Sequence, residues 1–298
     1  MEARAAMKVT IRLAERSGFC FGVKRAIKMA RAALSGSRAV YSLGPLIHNP
    51  PAVEELAGEG LKVAERLGDV PEGSLLVIRS HGAAPRVLVE AKERNLEVVD
   101  ATCPLVKRAQ EKARQLRDRG YQVLVVGERG HPEVEAILAF APGAVLVESC
   151  EDARALRLRP RVGVVAQTTQ APSRYRAILQ LLLEKKYQEL RVFNTICKAT
   201  AERQDAALKV ASGTEVMFVL GGHNSANTAR LREACRGKNV PTFQLEKVEE
   251  LVPEMLRGKR SIGIAAGAST PESMVAEFLS HLKKMLLDKF GTDSVVVG

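Results

Sequence analysis

Three cysteines that lie far apart in the chain constrain its fold more than any other feature. Cys20, Cys103 and Cys197 are separated by 83 and 94 residues, and each follows a strand-like run and begins a helix-like run. Zinc fingers and redox Cys-x-x-Cys motifs have much closer spacings. The pattern predicts three sub-domains that each contribute one thiolate to a shared centre.

Two further features repeat in the same order. Glycine and then histidine follow a strand 28, 28 and 26 residues after the cysteines, at His48, His131 and His223. Later in each unit, an apolar strand leads into a polar cluster and a helix-opening proline, whose missing amide donor costs little there. The polar clusters contain His81, Thr168 with Thr169, and Ser269. These features predict a repeat of roughly 90 residues. The predicted domains span 8–102, 103–196 and 197–282, followed by a C-terminal tail at 283–298.

The composition predicts a core of aliphatic residues. The 298 residues are 46% hydrophobic, include no Trp and are only 4% aromatic. Valine-rich runs at 123–126, 162–165 and 216–220 have the character of buried parallel strands. The stretch 106–119 has the periodicity of an amphipathic helix. Such alternation is typical of α/β proteins with mainly parallel sheets. Together with the repeat it predicts three small α/β domains packed together, and if a pseudo-threefold axis relates them, their strand ends converge.

Charge and patterning favour a cytoplasmic protein with anionic partners. We expect no membrane span, because no apolar stretch is long enough, and no secretory signal in the first 15 residues, which lack an apolar segment. Residues 1–6 are expected to be a loose extension. Five cysteines without a local framework fit a reducing compartment. The net charge of +11 favours anions, but nucleic acid is disfavoured because the cations are scattered and no aromatic residues are interleaved.

The repeated polar groups are expected to meet at the carboxyl ends of the strands, where ligands bind in open α/β sheets. Three thiolates suit soft metals, either zinc or an iron–sulfur cluster. The alternative is that cysteines fill core space, which is our interpretation of Cys150 and Cys235. Besides the three spaced cysteines, the predicted pocket contains His48, His81, His131, His223, Glu133, Thr168, Thr169, Ser225, Asn227 and Ser269.

The neutral donors in this pocket, together with helix N-termini, are typical of a site for phosphate-type anions. Glu133, two residues after His131, is the candidate acid. The competing interpretation is a solvated carboxylate in a first helical turn, which is favourable for the helix dipole. Glu128 and Asp100 are the other carboxylates of the repeated blocks.

Together these motifs resemble those of one enzyme family. They are Gly18-Phe-Cys-Phe-Gly-Val23, His48-Asn49, Ser80-His-Gly82, Asp100-Ala-Thr-Cys-Pro104, Gly130-His-Pro-Glu133, Gln167-Thr-Thr169, Asn194-Thr-Ile-Cys197, Asn224-Ser225 with Asn227, and Gly267-Ala-Ser269. From about Lys8 to about Leu282 the chain resembles the 4-hydroxy-3-methylbut-2-enyl diphosphate reductases, which act last in the methylerythritol phosphate route to isoprenoids. It departs from many relatives at Ala226, where they have a serine that offers the diphosphate a further hydroxyl.

The resemblance implies a trefoil of three α/β domains around a 4Fe–4S cluster with one open iron, held by Cys20, Cys103 and Cys197. It implies loss of the allylic hydroxyl as water after two one-electron reductions, giving isopentenyl and dimethylallyl diphosphates. Glu133 would supply protons through Thr168. The residues implied in substrate binding are His48, His81, His131, Thr168, Ser225, Asn227 and Ser269. Single-electron chemistry and positive charge favour an acidic ferredoxin or flavodoxin as electron donor.

Two other functions stay open at this point. Quinolinate synthase also combines three α/β repeats with a three-cysteine cluster, but its carboxylate substrates favour Arg or several Tyr in the site. The repeated blocks here contain His, Ser, Thr and Asn instead. A non-enzymatic basic binding module predicts no chromophore and strongly salt-dependent binding.

Overall fold

The computed structural model describes residues 8–16 and 18–291, and the backbone of 294–297. The strands are β1 (Lys8–Leu13), β2 (Val40–Leu43), β3 (Lys62–Ala64), β4 (Leu75–Ile78), β5 (Glu97–Asp100), β6 (Gln122–Val126), β7 (Val145–Val147), β8 (Arg161–Ala166), β9 (Glu189–Val192), β10 (Val216–Leu220), β11 (Thr242–Leu245), β12 (Ser261–Ala266) and β13 (Ser294–Val297). The helices are α1 (Phe21–Leu34), α2 (Pro50–Gly58), α3 (Pro85–Glu93), α4 (Pro104–Asp118), α5 (Pro132–Phe140), α6 (Cys150–Ala155), α7 (Pro172–Leu183), α8 (Lys198–Ala211), α9 (Ala226–Arg236) and α10 (Glu272–Phe290).

Three parallel sheets share one strand order. The first sheet is β3-β2-β4-β5, the second is β7-β6-β8-β9, and the third is β11-β10-β12-β1 with β13 at its edge. Every strand pair that the structure describes is parallel. In each sheet the fourth strand leads directly to a spaced cysteine: β5 to Cys103, β9 to Cys197 and β1 to Cys20. The predicted α/β class with parallel sheets is confirmed.

The apolar runs form strands because they are buried on both faces. The predicted runs at 123–126, 162–165 and 216–220 lie in β6, β8 and β10, and every side chain of β10 is fully buried. Helices cover both sides of such sheets, which explains continuous apolar sequence rather than alternation. The helix predicted at 106–119 begins two residues earlier, because Pro104 fits its first position.

The first strand lies in the third sheet and not in a sheet formed by the predicted domain 8–102. β1 pairs with β12, with Ile11 beside Ile262, and Val9 is fully buried in the core of that sheet. The strand before each cysteine can belong to the sheet of its own repeat or to that of the preceding one. Cysteine spacing alone therefore does not reveal that the first strand completes the last sheet. The domain boundaries themselves stay a prediction.

The segment 283–298, which was expected to be a tail, contains regular structure. Residues up to Phe290 continue α10, since Phe278, Leu282 and Leu286 recur at helical spacing and pack into the core of the third sheet. The backbone of β13 then pairs with β1. The extension expected at residues 1–6 lies outside the described residues.

The chain divides into two compact units. The third-sheet unit comprises the residues up to Cys20, His48–Pro50 and the residues from Lys198 onward. The two-sheet unit comprises Phe21–Ile47 and Pro51–Cys197, with the first and second sheets. Over the described residues, none of the helices has both the length and the apolar character needed to cross a membrane.

Candidate active site

The backbone amide of each spaced cysteine is bound to a loop of the same unit. The hydrogen bonds run from Cys20 to the carbonyl of Ala268 (2.9 Å), from Cys103 to that of Ser80 (3.0 Å) and from Cys197 to that of Thr168 (2.7 Å). The three acceptors follow β12, β4 and β8, which are the third strands of their sheets. The cysteines therefore occupy equivalent places in a structural repeat.

Each of these cysteines also directly precedes a helix. Cys20 precedes α1, Cys197 precedes α8, and Cys103 is the N-cap residue of α4. The amides in the first turn of a helix have no partner within the helix and favour an anionic ligand beside them. All three residues are partly exposed, and no cysteine in the described part of the chain forms a disulfide. These are the local conditions that a thiolate ligand needs.

Cys150 and Cys235 lie in different surroundings. Cys235 is fully buried with Met217 and Leu231 in the third-sheet unit, and burial raises the pKa of its thiol to about 11. Cys150 packs against the core of the second sheet. Both positions agree with the core-filling role predicted for these two residues.

A buried acid is bound to a threonine in the two-sheet unit. Glu133, in the first turn of α5, is only 2% exposed, so the alternative of a solvated carboxylate is wrong. Its Oε1 accepts the N–H of Thr168 at 2.5 Å, and its Oε2 accepts the hydroxyl of Thr168 at 2.9 Å. Glu133 follows β6 and Thr168 follows β8, and these strands are neighbours. The two bonds offset the cost of burying the carboxyl group.

Two histidines adjoin this acid. The Nδ1 of His131 accepts the N–H of Glu133 at 3.1 Å and caps α5, so a neutral ring carries its proton on Nε2 and presents a donor there. The ring of His81 lies edge-on to that of His131, with the centroids 5.7 Å apart. Two of the predicted anion-binding side chains are therefore neighbours.

The same unit connects these side chains to two cysteines. Ser80, the residue before His81, accepts the amide of Cys103, and Thr168 accepts the amide of Cys197. The candidate acid, both histidines and two candidate thiolates therefore all follow strands of the first and second sheets at the carboxyl ends.

A network of hydrogen bonds holds the turn before Cys103. Asp100 Oδ1 accepts the N–H of Thr102 at 3.0 Å, and Oδ2 lies 2.5 Å from Lys107 Nζ. Burial raises the pKa of Asp100, but the hydrogen bonds from Lys107 and Thr102 outweigh it and leave the pKa below its usual value. Asp100 thus holds the turn before Cys103, and Glu133 stays the candidate acid.

The third-sheet unit contains the other predicted contacts. The hydroxyl of Ser269 donates to the carbonyl of His48 at 2.9 Å, so it positions the backbone of that histidine. Ser225 caps α9 and accepts the N–H of Thr228 at 3.3 Å. A serine that accepts in this way still has an O–H to donate.

Asn227 is the strongest indication of a polar ligand in this unit. Its side chain is 4% exposed, and neither Oδ1 nor Nδ2 has a hydrogen-bond partner among the described residues. Buried polar atoms without partners cost about 1–3 kcal/mol each. Asn227 lies in the first turn of α9, whose amides favour anions. We therefore expect an anionic ligand to complete this site.

Two candidates of the predicted pocket have other partners. His223 is exposed: its Nε2 lies 3.2 Å from Glu250 Oε2, and its N–H donates to Glu246. Thr169 Oγ accepts from Gln167 Nε2 at 3.0 Å. The glycine–histidine spacing identified His223, but this spacing alone does not distinguish an exposed histidine from one that lines a pocket.

The buried cation Arg203 was missed by the sequence analysis. Arg203 on α8 donates to the carbonyl of Gly18 at 2.6 Å and to that of Ala266 at 3.4 Å, and so fixes the loop that leads to Cys20. It lies on the buried face of α8, three residues after Thr200 and four before Ala207. An arginine at helical spacing from buried residues was the sequence signal that could have identified it.

Three cysteine thiolates would be a suitable donor set for an iron–sulfur cluster. Soft thiolate ligands select such clusters, and in a cluster each cysteine binds a separate iron atom. Within the described ranges, no group of three or more His, Cys, Asp or Glu side chains lies close enough to hold one metal ion.

The chain is similar to known proteins over most of its length. The family model of the LytB protein matches residues 11–283. A relative from Geobacter metallireducens, named 4-hydroxy-3-methylbut-2-enyl diphosphate reductase, is 45% identical over 92% of this chain and 96% of its own length.

Solved structures give the same result. The E-1-hydroxy-2-methyl-but-2-enyl-4-diphosphate reductase from Plasmodium falciparum matches with a TM-score of 0.91 at 28% identity, over 97% of this chain and 92% of its own. A second structure, of (E)-4-hydroxy-3-methyl-but-2-enyl diphosphate reductase, the terminal enzyme of the non-mevalonate pathway, matches with a TM-score of 0.67 at 41% identity. It covers 93% of this chain and 99% of its own. The match at the level of sequence, together with that of fold, means that the chain belongs to the LytB protein family.

Proposed function

We propose that this chain is a 4-hydroxy-3-methylbut-2-enyl diphosphate reductase, the last enzyme of the methylerythritol phosphate route to isoprenoids. The reaction consumes one allylic alcohol, two electrons and two protons. The carbon–oxygen bond breaks, a carbon–hydrogen bond forms, and the products are water and isopentenyl or dimethylallyl diphosphate. The observation that carries this proposal is the buried Glu133–Thr168 pair beside His131, in a chain whose relatives bear this name.

We also propose that Cys20, Cys103 and Cys197 hold one 4Fe–4S cluster. Their equivalent amide hydrogen bonds and their places before helices support this assignment. When bound, the cluster would supply electrons one at a time and Lewis acidity at an open iron. The three residues are partly exposed, whereas Cys235 is fully buried among apolar side chains, and this contrast supports their choice over Cys235.

The proposed diphosphate site consists of neutral donors. Histidine, serine and asparagine side chains, with helix N-termini, bind the phosphate oxygens without a fixed positive charge. The unpartnered amide of Asn227 and the Nε2 donor of His131 support this role. The proposed ligands are His48, His81, His131, Ser225, Asn227 and Ser269, the last by turning its O–H from the His48 carbonyl to the phosphate. We expect inorganic diphosphate to compete with the substrate.

Glu133 is the proposed proton source and Thr168 the relay. Release of water requires a proton on the departing oxygen, and a positioned acid typically contributes about 10²–10⁴-fold in rate. Thr168 Oγ donates to Glu133 Oε2 at 2.9 Å. With Glu133 protonated, this hydrogen bond would reverse, so that Thr168 accepts a proton from the acid and donates its own to the leaving hydroxyl. Thr168 is accordingly also a proposed contact of the substrate.

Electrons are proposed to come from a small acidic carrier, a ferredoxin or a flavodoxin, in the cytoplasm. The net charge of +11 favours an acidic partner, and the reaction needs two single electrons. Neither nucleic acid nor a membrane has a part in the proposed reaction.

The test is anaerobic purification with iron and sulfide analysis, followed by turnover of the allylic diphosphate with a reduced dye. We expect a brown protein with four irons per chain. Cys→Ser at position 20, 103 or 197 should remove iron and activity, because serine is a poor substitute for a soft thiolate. Matched changes at Cys150 and Cys235 should leave both nearly intact. If Cys150→Ser removes the cluster and Cys103→Ser does not, the assignment is wrong.

A further inference from the structure

The helix after Cys20 presents an exposed aromatic ring and a row of cations. Phe21, the first residue of α1, is 70% exposed. The 14 residues of α1 contain Lys24, Arg25, Lys28 and Arg31 and no carboxylate, and Arg31 is paired with Glu55 and Glu59. Exposed aromatic residues surrounded by polar groups are typical of protein interfaces. Phe21 therefore requires an explanation that the proposed chemistry does not give.

One face of α1 lies beside the turn that carries Cys103. Positions 21, 24, 25 and 28 share a helix face by their spacing of three and four residues. Arg25 on this face donates to the carbonyl of Thr102 at 3.1 Å, and Thr102 directly precedes Cys103. Phe21 thus begins a cationic face that contacts the segment before a proposed cluster ligand.

The helix after Cys103 also presents an exposed apolar side chain and an exposed cation near its start. Leu105 in the first turn of α4 is 37% exposed, and Arg108, one turn later, is also exposed. The nearby carboxylate Asp100 is bound to Lys107, so it does not cancel the charge of Arg108. We group four exposed residues near the starts of these two helices, Phe21, Lys28, Leu105 and Arg108, as the docking face.

We propose that the docking face binds a small acidic one-electron carrier protein. Its cations match an acidic partner, and Phe21 and Leu105 supply the apolar centre that interfaces use for affinity. Phe21 directly follows Cys20, and Leu105 is two residues after Cys103. A carrier bound to these residues is therefore placed to deliver electrons to the proposed cluster. Two reduced carriers each give up one electron per substrate and leave oxidised. This inference rests on the proposed function for its electron acceptor.

The test compares two electron sources on the cluster-loaded enzyme. One is a reduced acidic plant-type ferredoxin, which must dock, and the other is reduced methyl viologen, a small cation that a positive face does not attract. The variants are the double change Lys28→Glu with Arg108→Glu, and Phe21→Ser. The control is Lys284→Glu, an exposed lysine on α10. Iron content is measured for each variant, and the affinity for oxidised ferredoxin is measured separately at low and high salt.

We expect the double variant to lose at least about tenfold in affinity for ferredoxin and in ferredoxin-driven kcat/KM, with a weaker salt dependence than wild type. Phe21→Ser should weaken binding at both salt concentrations. Viologen-driven turnover and iron content should stay within about twofold of wild type, as should all values for Lys284→Glu. Unchanged ferredoxin affinity in both variants overturns the docking face, as does an equal loss with Lys284→Glu. Binding is measured without turnover, so a wild-type enzyme that binds ferredoxin but gives no product with viologen refutes the proposed function and not the docking face.

Discussion

The hydroxyl of Thr168 lies 2.9 Å from Glu133 Oε2, and the amide of the same threonine lies 2.5 Å from Oε1. Thr168 thus orients the carboxyl group through two bonds from neighbouring strand ends. Because a hydroxyl accepts and donates at once, a proton that leaves Glu133 for Thr168 Oγ releases the Thr168 proton to a third group. These contacts, with Glu133 only 2% exposed, support the proton relay that we propose.

Replacement of Glu133 by glutamine should abolish this proton supply without loss of shape. Glutamine keeps hydrogen bonds to Thr168 but has no acidic proton, so turnover should fall by at least about 10²-fold. Cluster content and the affinity for inorganic diphosphate should be unchanged. Steady-state reduction with a dye measures turnover, iron analysis measures cluster content, and competition by inorganic diphosphate measures its affinity. Glu135→Gln, an exposed position on the same helix, is the control. Near-normal turnover of Glu133→Gln would move the proton source to another group.

The Thr168 hydroxyl can be tested apart from its amide. Thr168→Val keeps the backbone bond to Glu133 and removes the relay, so turnover should fall about 10–10³-fold. Thr168→Ser retains the hydroxyl and should restore most of the rate. If valine and serine lower the rate equally, Thr168 acts by packing and not as a relay. Rates are compared at saturating substrate so that effects on binding do not interfere.

The sequence predicted those parts of the fold that depend on local periodicity. The buried run 216–220 became β10 without change of bounds, since five successive apolar residues are satisfied only in a covered strand. The equivalence of Cys20, Cys103 and Cys197 was also visible, because each cysteine lies at a strand–helix junction and junctions have sequence signals.

Long-range pairing was not predictable in the same way. The place of β1 beside β12 depends on contacts between the two ends of the chain, and no local pattern encodes this. The burial of Glu133 and the outward turn of His223 likewise depend on neighbours from distant segments. The sequence therefore indicated which residue types belong to the site but not which of them are enclosed.

Cys235 should make the stability of the enzyme depend on alkaline pH. Burial raises its folded pKa to about 11, above the ordinary value of a thiol. Its stabilising contribution is therefore complete below the unfolded pKa and is lost as pH rises through about 11. The loss should be on the order of 2 kcal/mol. Urea unfolding of the anaerobic enzyme at pH 8 and pH 10.5 or so measures it, and Cys235→Ala should remove this part of the pH dependence. Equal slopes for both proteins would mean that Cys235 ionises freely in the folded state.

Asn227 should strengthen diphosphate binding but should not stabilise the ligand-free protein. Both polar atoms of its buried side chain have no hydrogen-bond partner among the described residues, so the near-isosteric change Asn227→Leu removes an unmet demand and should not lower the melting temperature. The same change should weaken the binding of inorganic diphosphate by about tenfold to a hundredfold, because each lost donor costs roughly 1–3 kcal/mol.

Ala226→Ser, which adds a hydroxyl at the neighbouring position, should tighten diphosphate binding instead. Thermal melts with and without diphosphate measure all three proteins. A large fall in the melting temperature of ligand-free Asn227→Leu, with diphosphate binding intact, would show that Asn227 serves the fold and that the anion binds elsewhere.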